Sequence, residues 1–320
     1  MQLTPNTMVT VTVSSAGRVS RARGLPVTLS FEDKQPEEVT IRDVKAAVKA
    51  KFPKFYESRQ KLSLKGERQA LEDGTTLKDA GLFDTGELIV KDLGPQIGWK
   101  TVFLIEYVGP LIIHPLIYYN APAFYGRNVL HSTVQKMVYC MVMLHFLKRE
   151  LETIFVHRFS HGTMPFRNVF KNSAHYWLLS GLALAYAVYS PTYAETSSYV
   201  HTTARNYPEY RMGCLALWAY AELSNLITHL NLRSLRPAGT TKRAIPYGYG
   251  FALVSCPNYF FESVSWLAVA LLTNSYVAWI FLAFSSSIMA NWAIKKHKAY
   301  RREFGKDYPR GRKAIFPFIL

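Results

Sequence analysis

Polar and ionisable residues interrupt the long apolar runs that fill the C-terminal two thirds of this chain. The clearest example is the run 247–266, YGYGFALVSCPNYFFESVSW, which is typical of a buried or membrane-spanning helix. It nevertheless carries Asn258, Tyr259 and Glu262 at helical spacing. Because an ionisable group inside a bilayer is costly, a glutamate in such a segment indicates a functional site.

Comparable residues lie in or beside other apolar runs. Asn225 and His229 are four residues apart in NLITHLNLRSLRP, and therefore share one face of a helix. Glu106 lies in TVFLIEYVGPLII, and Lys148 and Arg149 lie in HFLKRELE. Each of these residues, taken singly, has a simpler interpretation as an interfacial ion-pair member or a residue that sets membrane topology.

One shared cavity would account for these residues together. Glu106, Arg149, Asn225 and Glu262 belong to four separate predicted helices, and each would destabilise a helical bundle if it were left unpaired. A polar cavity that opens to the cytosol would satisfy all four. Because cations outnumber acids in these segments, we expect an anionic guest. A dinucleotide fits this expectation, since the planar guanidinium of arginine binds phosphate oxygens bidentately.

Several common site motifs are absent from the sequence. It contains no GxGxxG after a strand, no GxxxxGK[ST], no HExxH and no CxxC pair. The segment HRFSH pairs His157 with His161, but membrane di-iron enzymes need several histidine boxes. The three cysteines, Cys140, Cys214 and Cys256, lie separately in apolar segments. We therefore predict neither a Rossmann or P-loop fold nor a metal site.

The N-terminal part of the chain has the pattern of a small soluble domain. MVTVTVSS and LPVTLSF alternate or concentrate apolar residues as strands do, and VTIRDVKAAVKAKFP has the apolar spacing of an amphipathic helix. KLSLKGE and GELIVKDLG predict two later strands, with a short helix in LEDGTTLKDAGL between them. This order is similar to that of a ubiquitin-like β-grasp domain, which we assign to residues 1–94.

The remaining residues, 95–320, have the pattern of a multi-pass α-helical membrane domain. The chain carries a formal net charge of +16, and the basic residues of this part lie between the apolar runs, which fits membrane topology better than nucleic-acid binding. Six runs have the length of a spanning helix, and a seventh span arises if one of the last runs is split. The predicted spans are 99–119, 133–156, 175–193, 212–230, 249–272 and 275–294. Six spans place every basic loop and both termini on the cytosolic side.

Three segments resemble the steroid 5-alpha-reductase family. They are the tail HKAYRREFGKDYPRGRKAIFPFIL, the segment NLITHLNLRSLRPAGTTKRAIPYGYGFALVSCPNYFFE and the segment WKTVFLIEYVGPL. The ubiquitin-like N-terminus, together with HFLKRELETIFVHRFSHGTMP and SCPNYFFE, resembles the branch of the family that reduces very-long-chain trans-2-enoyl-CoA. The resemblance implies the last step of fatty-acid elongation in the endoplasmic reticulum membrane, with NADPH as cofactor. It also implies membrane lipid and other elongation enzymes as partners.

The resemblance also implies roles for individual residues. It implies that Tyr259 donates the proton and that Glu106 contacts the substrate carbonyl. We expect Lys148 and Arg149 to hold the pyrophosphate or to ease Tyr259 toward its anion. The positions implied for cofactor binding are Arg149, Asn225, His229, Arg233, Arg236, Arg243, Asn258, Glu262, Tyr300 and Arg312. Two residues depart from the steroid reductases: Phe146 replaces a tyrosine that helps to polarise the ketone, and His229 replaces an aspartate.

Three alternative functions follow from the same sequence. Reduction of a 3-oxo-Δ4 steroid or a polyprenol-type substrate would use the same fold, but Phe146 and the ubiquitin-like domain argue against it. An isoprenylcysteine-type methyltransferase would share the basic tail and use S-adenosylmethionine, but it needs no proton donor such as Tyr259. A non-enzymatic scaffold would leave the intramembrane Glu, Asn and Arg residues without a purpose.

Overall fold

The computed structural model describes residues 8–83, 85–159, 162–237 and 243–320. These residues form two compact units, and the division falls at Gly98, with the segment 162–168 belonging to the first unit. The first unit contains the strands β1 (Met8–Ser15), β2 (Val27–Glu32), β3 (Gln60–Leu64), β4 (Thr85–Asp92), β5 (Gln96–Gly98) and β6 (Thr163–Pro165), and the helix α1 (Ile41–Lys51).

The first unit is built on a mixed four-stranded sheet. Its strand order is β2-β1-β4-β3, with β1 parallel to β4 and the other two pairs antiparallel. Val9, Val11 and Val13 alternate along β1 and are buried, as expected for a strand with one face toward a core. The buried side chains of Val44 and Val48 from α1 belong to the same core. This arrangement has the β-grasp topology that the sequence predicted.

One predicted element of this unit is wrong. The segment 71–83 contains turns and no helix. Leu77 is nevertheless fully buried, so the segment supplies a core residue without a helix. The Asp73–Gly74 pair and Gly81, which has a φ of +76°, favour turns over helical backbone.

The start of α1 offers a test of the first unit. Thr40 caps the helix: its side chain accepts a hydrogen bond from the Asp43 amide, and the Asp43 carboxylate accepts one from the Thr40 amide. Because a lost N-cap costs about 1 kcal/mol, Thr40→Ala should make amide hydrogen exchange in α1 about fivefold faster. Mass-spectrometric exchange on the whole protein measures this effect. The exposed Thr28, changed to Ala, is the control, and equal exchange in both variants would contradict the cap's contribution.

The second unit is helical. It contains α2 (Trp99–Tyr119), α3 (Ala121–Tyr125), α4 (Thr133–Phe155), α5 (Asn168–Ala174), a π-helix (His175–Ala183), α6 (Leu184–Val188), α7 (Ser198–His201), α8 (Pro208–Ser234), α9 (Pro257–Thr273) and α10 (Tyr276–Phe304). The first residue of α5, Asn168, belongs to the first unit. Its core is rich in aromatic residues, among them Phe146, Trp218, Trp266 and Phe281. The helices α2, α4, α8, α9 and α10 pack around this core.

The outer faces of these helices are apolar. Ile112, Leu144, Leu223, Ile227 and Phe284 are each about half exposed or more. Within the described residues, two helices are long and apolar enough to cross a membrane: α2, and α10 together with the 3₁₀ turn that follows it (Tyr276–Asp307). Exposed apolar side chains on helices of this kind suit lipid rather than water. The number of spans, six or seven, stays a prediction.

The predicted fifth span begins later than expected. The sequence predicted helix from Tyr249, whereas α9 begins at Pro257. Gly248 and Gly250 have φ values of +95° and +79°, which end any helical backbone there. A proline at the first helical position lacks only an amide hydrogen that would have no partner in the helix. This start places Asn258 and Tyr259 in the first turn of α9.

The π-helix brings an aromatic pair into contact with α2. Trp177 donates a hydrogen bond to the Ile105 carbonyl at 2.8 Å and lies against Gly109, where a Cβ atom would come within 2.5 Å of the indole. Its neighbour Tyr176 packs edge-on against Tyr107 of α2, with ring centroids 5.2 Å apart. Turns of π-helix within α-helical segments are frequent at functional sites.

Candidate active site

A cavity of about 330 Å³ lies within the second unit, and its wall contains most of the residues that the sequence singled out. The wall is formed by α2, α4, the π-helix, α8, α9 and α10 and by the segments that follow α4 and α8. The predicted residues on it are Arg149, Asn225, His229, Arg233, Arg236, Arg243, Asn258, Tyr259, Glu262 and Tyr300. The tertiary structure therefore brings together side chains that are up to 151 positions apart in the sequence, from Arg149 to Tyr300.

Asn225 of α8 connects this helix with α4 and α9 at the cavity wall. Its amide nitrogen donates to the Asn258 carbonyl at 2.8 Å and to Glu262 Oε2 at 3.1 Å. Its amide oxygen accepts a hydrogen bond from Lys148 Nζ at 2.6 Å. Since both ends of the amide have protein partners, Asn225 orients neighbouring wall residues. Lys148 itself lies outside the cavity wall.

Arg149 carries a charge into the cavity. Its guanidinium donates to Tyr107 Oη at 2.8 Å and to Glu152 Oε2 at 2.7 Å, and it lies 5.0 Å from the Tyr107 ring centroid. Its Nε is buried and has no hydrogen-bond partner among the described residues. An unpaired buried donor on a charged group is costly, and a polar guest would satisfy it.

A second layer of ionisable residues supports Glu262. His145 lies between two carboxylates, with its Nδ1 2.6 Å from Glu222 Oε1 and its Nε2 3.2 Å from Glu262 Oε1. Lys148 Nζ lies 3.0 Å from Glu222 Oε2. Glu222 was not among the site residues predicted from the sequence. Its spacing of three residues before Asn225 places both on one face of α8, and this periodicity was the available signal.

Arginines line the cavity where α8 ends. Arg158 and Arg236 each donate a hydrogen bond to the other's backbone carbonyl. Arg233 is exposed, and Arg243 forms an exposed ion pair with Glu303. Of the segment that follows α8, residues 238–242, which include Lys242, lie outside the described residues. This concentration of positive charge favours an anionic guest.

Aromatic and apolar side chains form another part of the wall. They come from α2, the π-helix and α10, and are Phe103, Tyr107, Tyr176, Met289 and Trp292. A cavity with both cationic and aromatic walls suits a guest that carries phosphates together with planar or apolar groups. These wall residues were not predicted from the sequence, because aromatic residues are frequent throughout the chain.

Three predicted site residues do not line the cavity: Lys148, Glu106 and Arg312. Glu106 is buried on α2 next to Tyr107, and its carboxyl interacts with the side chain of Asn172. Arg312 is buried in the C-terminal tail, with its guanidinium over the rings of Tyr247 and Tyr308 at 5.0 and 5.4 Å.

The position of Arg312 follows from how the tail is held. The amide of Ser255 donates to the Lys313 carbonyl at 2.8 Å, and the Ser255 hydroxyl lies 2.6 Å from both His297 Nδ1 and Tyr308 Oη. These hydrogen bonds attach the tail to the segment before α9. Two guanidinium nitrogens of Arg312, Nε and Nη1, are buried without a hydrogen-bond partner in the described part of the chain.

Glu152, His157 and His229 have potential ligand atoms within 4.8 Å of one another. Glu152 is, however, already paired with two cations, since Arg149 Nη1 lies 2.7 Å and Lys148 Nζ 3.3 Å from its oxygens. These cations would repel a divalent metal ion, so we interpret the three residues as part of the ion network. His161, the other histidine of the HRFSH pair, lies outside the described residues.

Two family models match parts of this chain. Residues 162–320 match the family described as 3-oxo-5-alpha-steroid 4-dehydrogenase, and residues 27–92 match the TECR ubiquitin-like domain. A protein of Schizosaccharomyces pombe named as an enoyl reductase is 47% identical to this chain, over 98% of the chain and 100% of that protein.

Two further relatives carry a more specific name. The very-long-chain enoyl-CoA reductase of Dictyostelium discoideum is 46% identical over 73% of this chain and 74% of that protein. A Caenorhabditis elegans protein named as a very-long-chain enoyl-CoA reductase is 39% identical over 88% of this chain and 91% of that protein. With its ubiquitin-like N-terminal domain and its helical C-terminal unit, the chain belongs to the enoyl-CoA reductase group of the 3-oxo-5-alpha-steroid 4-dehydrogenase family.

Proposed function

We propose that this protein reduces very-long-chain trans-2-enoyl-CoA to the saturated acyl-CoA with NADPH, as the last step of fatty-acid elongation. The observation that carries the proposal is the cavity that places Tyr259 and Arg149 together with the arginines at the end of α8. This arrangement combines a proton donor with a phosphate-binding surface, and both are needed for this reaction.

The residues of the cavity fit a phosphorylated dinucleotide. Arg149 Nε and Asn258 Oδ1 are buried without hydrogen-bond partners among the described residues, so the site offers an unused donor and an unused acceptor. We propose that Arg149, Arg233, Arg236, Arg243 and Arg312 bind the phosphates. The remaining proposed contacts to the cofactor are Asn225, His229, Asn258, Glu262 and Tyr300. The preference for NADPH over NADH is part of the proposal.

Tyr259 is the proposed general acid. NADPH, when bound, would supply the hydride for the β-carbon of the substrate, and the substrate carbonyl oxygen would then carry negative charge. Tyr259 gives its proton to the α-carbon. Its hydroxyl makes no hydrogen bond to any described residue and is thus available to the substrate, and its ring lines the cavity. Lys148 supports Tyr259 indirectly, through Asn225 and Asn258.

Glu106 is proposed as the carboxyl that contacts the thioester carbonyl and stabilises its developing charge. Its side chain is buried beside Tyr107 and does not line the cavity. The acyl thioester would therefore have to reach between α2 and the π-helix. This places the substrate on the aromatic side of the cavity, where a long acyl chain finds apolar contacts.

Phe146 favours an acyl-CoA over a steroid substrate. Its side chain is fully buried and packs against Tyr107 and Trp266, with ring centroids 6.3 and 5.8 Å away. It lacks a hydroxyl group, so it cannot donate a hydrogen bond to a ketone. The tyrosine that the steroid reductases use at this position has no equivalent here.

The proposed location is the endoplasmic reticulum membrane, with both termini in the cytosol and with lipid and other elongation enzymes as partners. Excess positive charge in the loops and the tail supports the orientation. Accessibility of single introduced cysteines to a membrane-impermeant reagent, in sealed microsomes, tests it. Labelling of a tail cysteine only after permeabilisation would contradict a cytosolic C-terminus.

NADPH oxidation by the purified, detergent-solubilised protein tests the activity directly. We expect rapid oxidation with a long-chain trans-2-enoyl-CoA and little with a 3-oxo-Δ4 steroid, and slower oxidation when NADH replaces NADPH. The saturated acyl-CoA should be identified by mass spectrometry. Turnover of the steroid alone, or no oxidation with either substrate, would show that the proposed function is wrong.

A further inference from the structure

Lys296 lies at the point where α10 meets Tyr259. It is half-buried and lines the cavity together with Trp292 and Tyr300, each one helical turn away on the same face of α10. Its ammonium nitrogen lies 5.6 Å from the centroid of the Tyr259 ring. Trp292 contacts the same ring, with centroids 6.3 Å apart. From the sequence alone, Lys296 counted only as one of the basic residues that set membrane topology.

The charge of Lys296 has no carboxylate partner. Within the described part of the chain, no Asp or Glu oxygen lies within 4.0 Å of its Nζ. Arg149, Arg236 and Glu262 line the same cavity. Arg149 is paired with Glu152. Lys296 is therefore a cation over the Tyr259 ring whose charge no carboxylate of the described residues offsets.

Lys148 is less suited to act on Tyr259. It lies outside the cavity wall, and its Nζ is within 3.0 Å of Glu222 and 3.3 Å of Glu152. It also donates a hydrogen bond to the Asn225 amide oxygen. These partners compensate its charge and fix its position. These contacts connect α4 with α8, and Lys148 is linked to α9 only through Asn225.

We propose that Lys296 is a positioning residue for proton transfer, which acts by stabilising the anion of Tyr259. The inference rests on the proposed role of Tyr259 as general acid. When the α-carbon of the substrate takes the proton, the O–H bond of Tyr259 breaks and a C–H bond forms from the electron pair of the enolate. The negative charge moves to the phenol oxygen, where the neighbouring ammonium offsets it. A proton from solvent then restores the phenol.

The test compares Lys296→Met, which removes the charge, with Lys296→Arg, which keeps it. Lys296→Met should lower kcat about tenfold, and Lys296→Arg should recover most of the loss. The solvent deuterium isotope effect on kcat should rise in the Met variant, because proton transfer becomes slower relative to the other steps. The Kd for NADPH should stay within about twofold of the unsubstituted protein's value. The matched control is Lys295→Met, which changes the adjacent exposed lysine outside the cavity.

A double-substitution cycle separates this role from a structural one. In a Tyr259→Phe background, Lys296→Met should have little further effect on the residual rate, because the group that it acts on is gone. Three results would overturn the inference: equal rates for the Lys296 and Lys295 variants, an equally large effect in the Tyr259→Phe background, or a weakening of NADPH binding that accounts for the loss. Absence of enoyl-CoA turnover by the unsubstituted protein is a separate result that overturns the proposed function, and this inference with it.

Discussion

Tyr259→Phe should lower kcat for enoyl-CoA reduction by about 10²- to 10⁴-fold, the contribution usual for a general acid. The substitution removes one oxygen atom and keeps the ring, which contacts Trp292 and Lys296. Because the hydroxyl makes no hydrogen bond to any described residue, its loss should leave folding unchanged. NADPH binding should also be retained. Stopped-flow measurement of NADPH oxidation, together with a binding titration, gives both quantities.

The control for this prediction is Tyr276→Phe. Tyr276 is 75% exposed at the start of α10 and lies outside the cavity, so this variant should keep the rate of the unsubstituted protein. A Tyr259→Phe variant that keeps near-normal turnover would remove Tyr259 from the role of acid. In that case Glu106 becomes the next candidate, and Glu106→Gln is the variant to examine.

Arg149→Met should weaken NADPH binding by about 10- to 100-fold, because a charge-assisted hydrogen bond is worth about 1.5–3 kcal/mol. The same substitution should also destabilise the second unit. Glu152 is almost completely buried, and in this variant it keeps Lys148 and His229 but loses its shortest ion pair. Removal of one partner from a buried pair costs about 3–5 kcal/mol. Isothermal titration with NADPH and thermal unfolding in detergent measure the two effects.

The double variant Arg149→Met/Glu152→Gln distinguishes these effects. It also removes the charge of the buried carboxylate that has lost its shortest ion pair, so part of the thermal stability should return, whereas NADPH binding should stay weak. Arg149→Lys keeps the charge but loses the planar fork that reaches both Tyr107 and Glu152, and we expect an intermediate affinity. If NADPH affinity returned together with stability in the double variant, Arg149 would have only a structural role.

Local sequence patterns determined much of the fold. The alternation along β1, the apolar spacing of α1 and the turn residues between them determined the order of strands and helix in the first unit. The predicted span 99–119 coincides with α2. These predictions succeeded because side-chain periodicity reflects local backbone geometry, with a period of two in strands and of 3.6 in helices. The short helix expected within 71–83 and the early start of α9 were wrong, since turn residues and glycines with positive φ prevailed there.

The sequence also indicated that Arg149, Asn225 and Glu262 share a cavity, since a glutamate, an asparagine or an arginine in an apolar helix needs a polar partner. Glu106, which was expected in the same cavity, does not line it. It could not determine which partners these residues find. The contacts of His145 with Glu222 and Glu262, the separation of Lys148 from the cavity and the position of Lys296 against Tyr259 all depend on how separate helices pack. Packing between helices is set by the shapes and contacts of side chains that are distant in the chain, and periodicity along one helix does not contain this information. The sequence by itself thus determined the two-unit organisation and the chemical character of the site, whereas only the tertiary structure decided which cation lies beside the proposed acid.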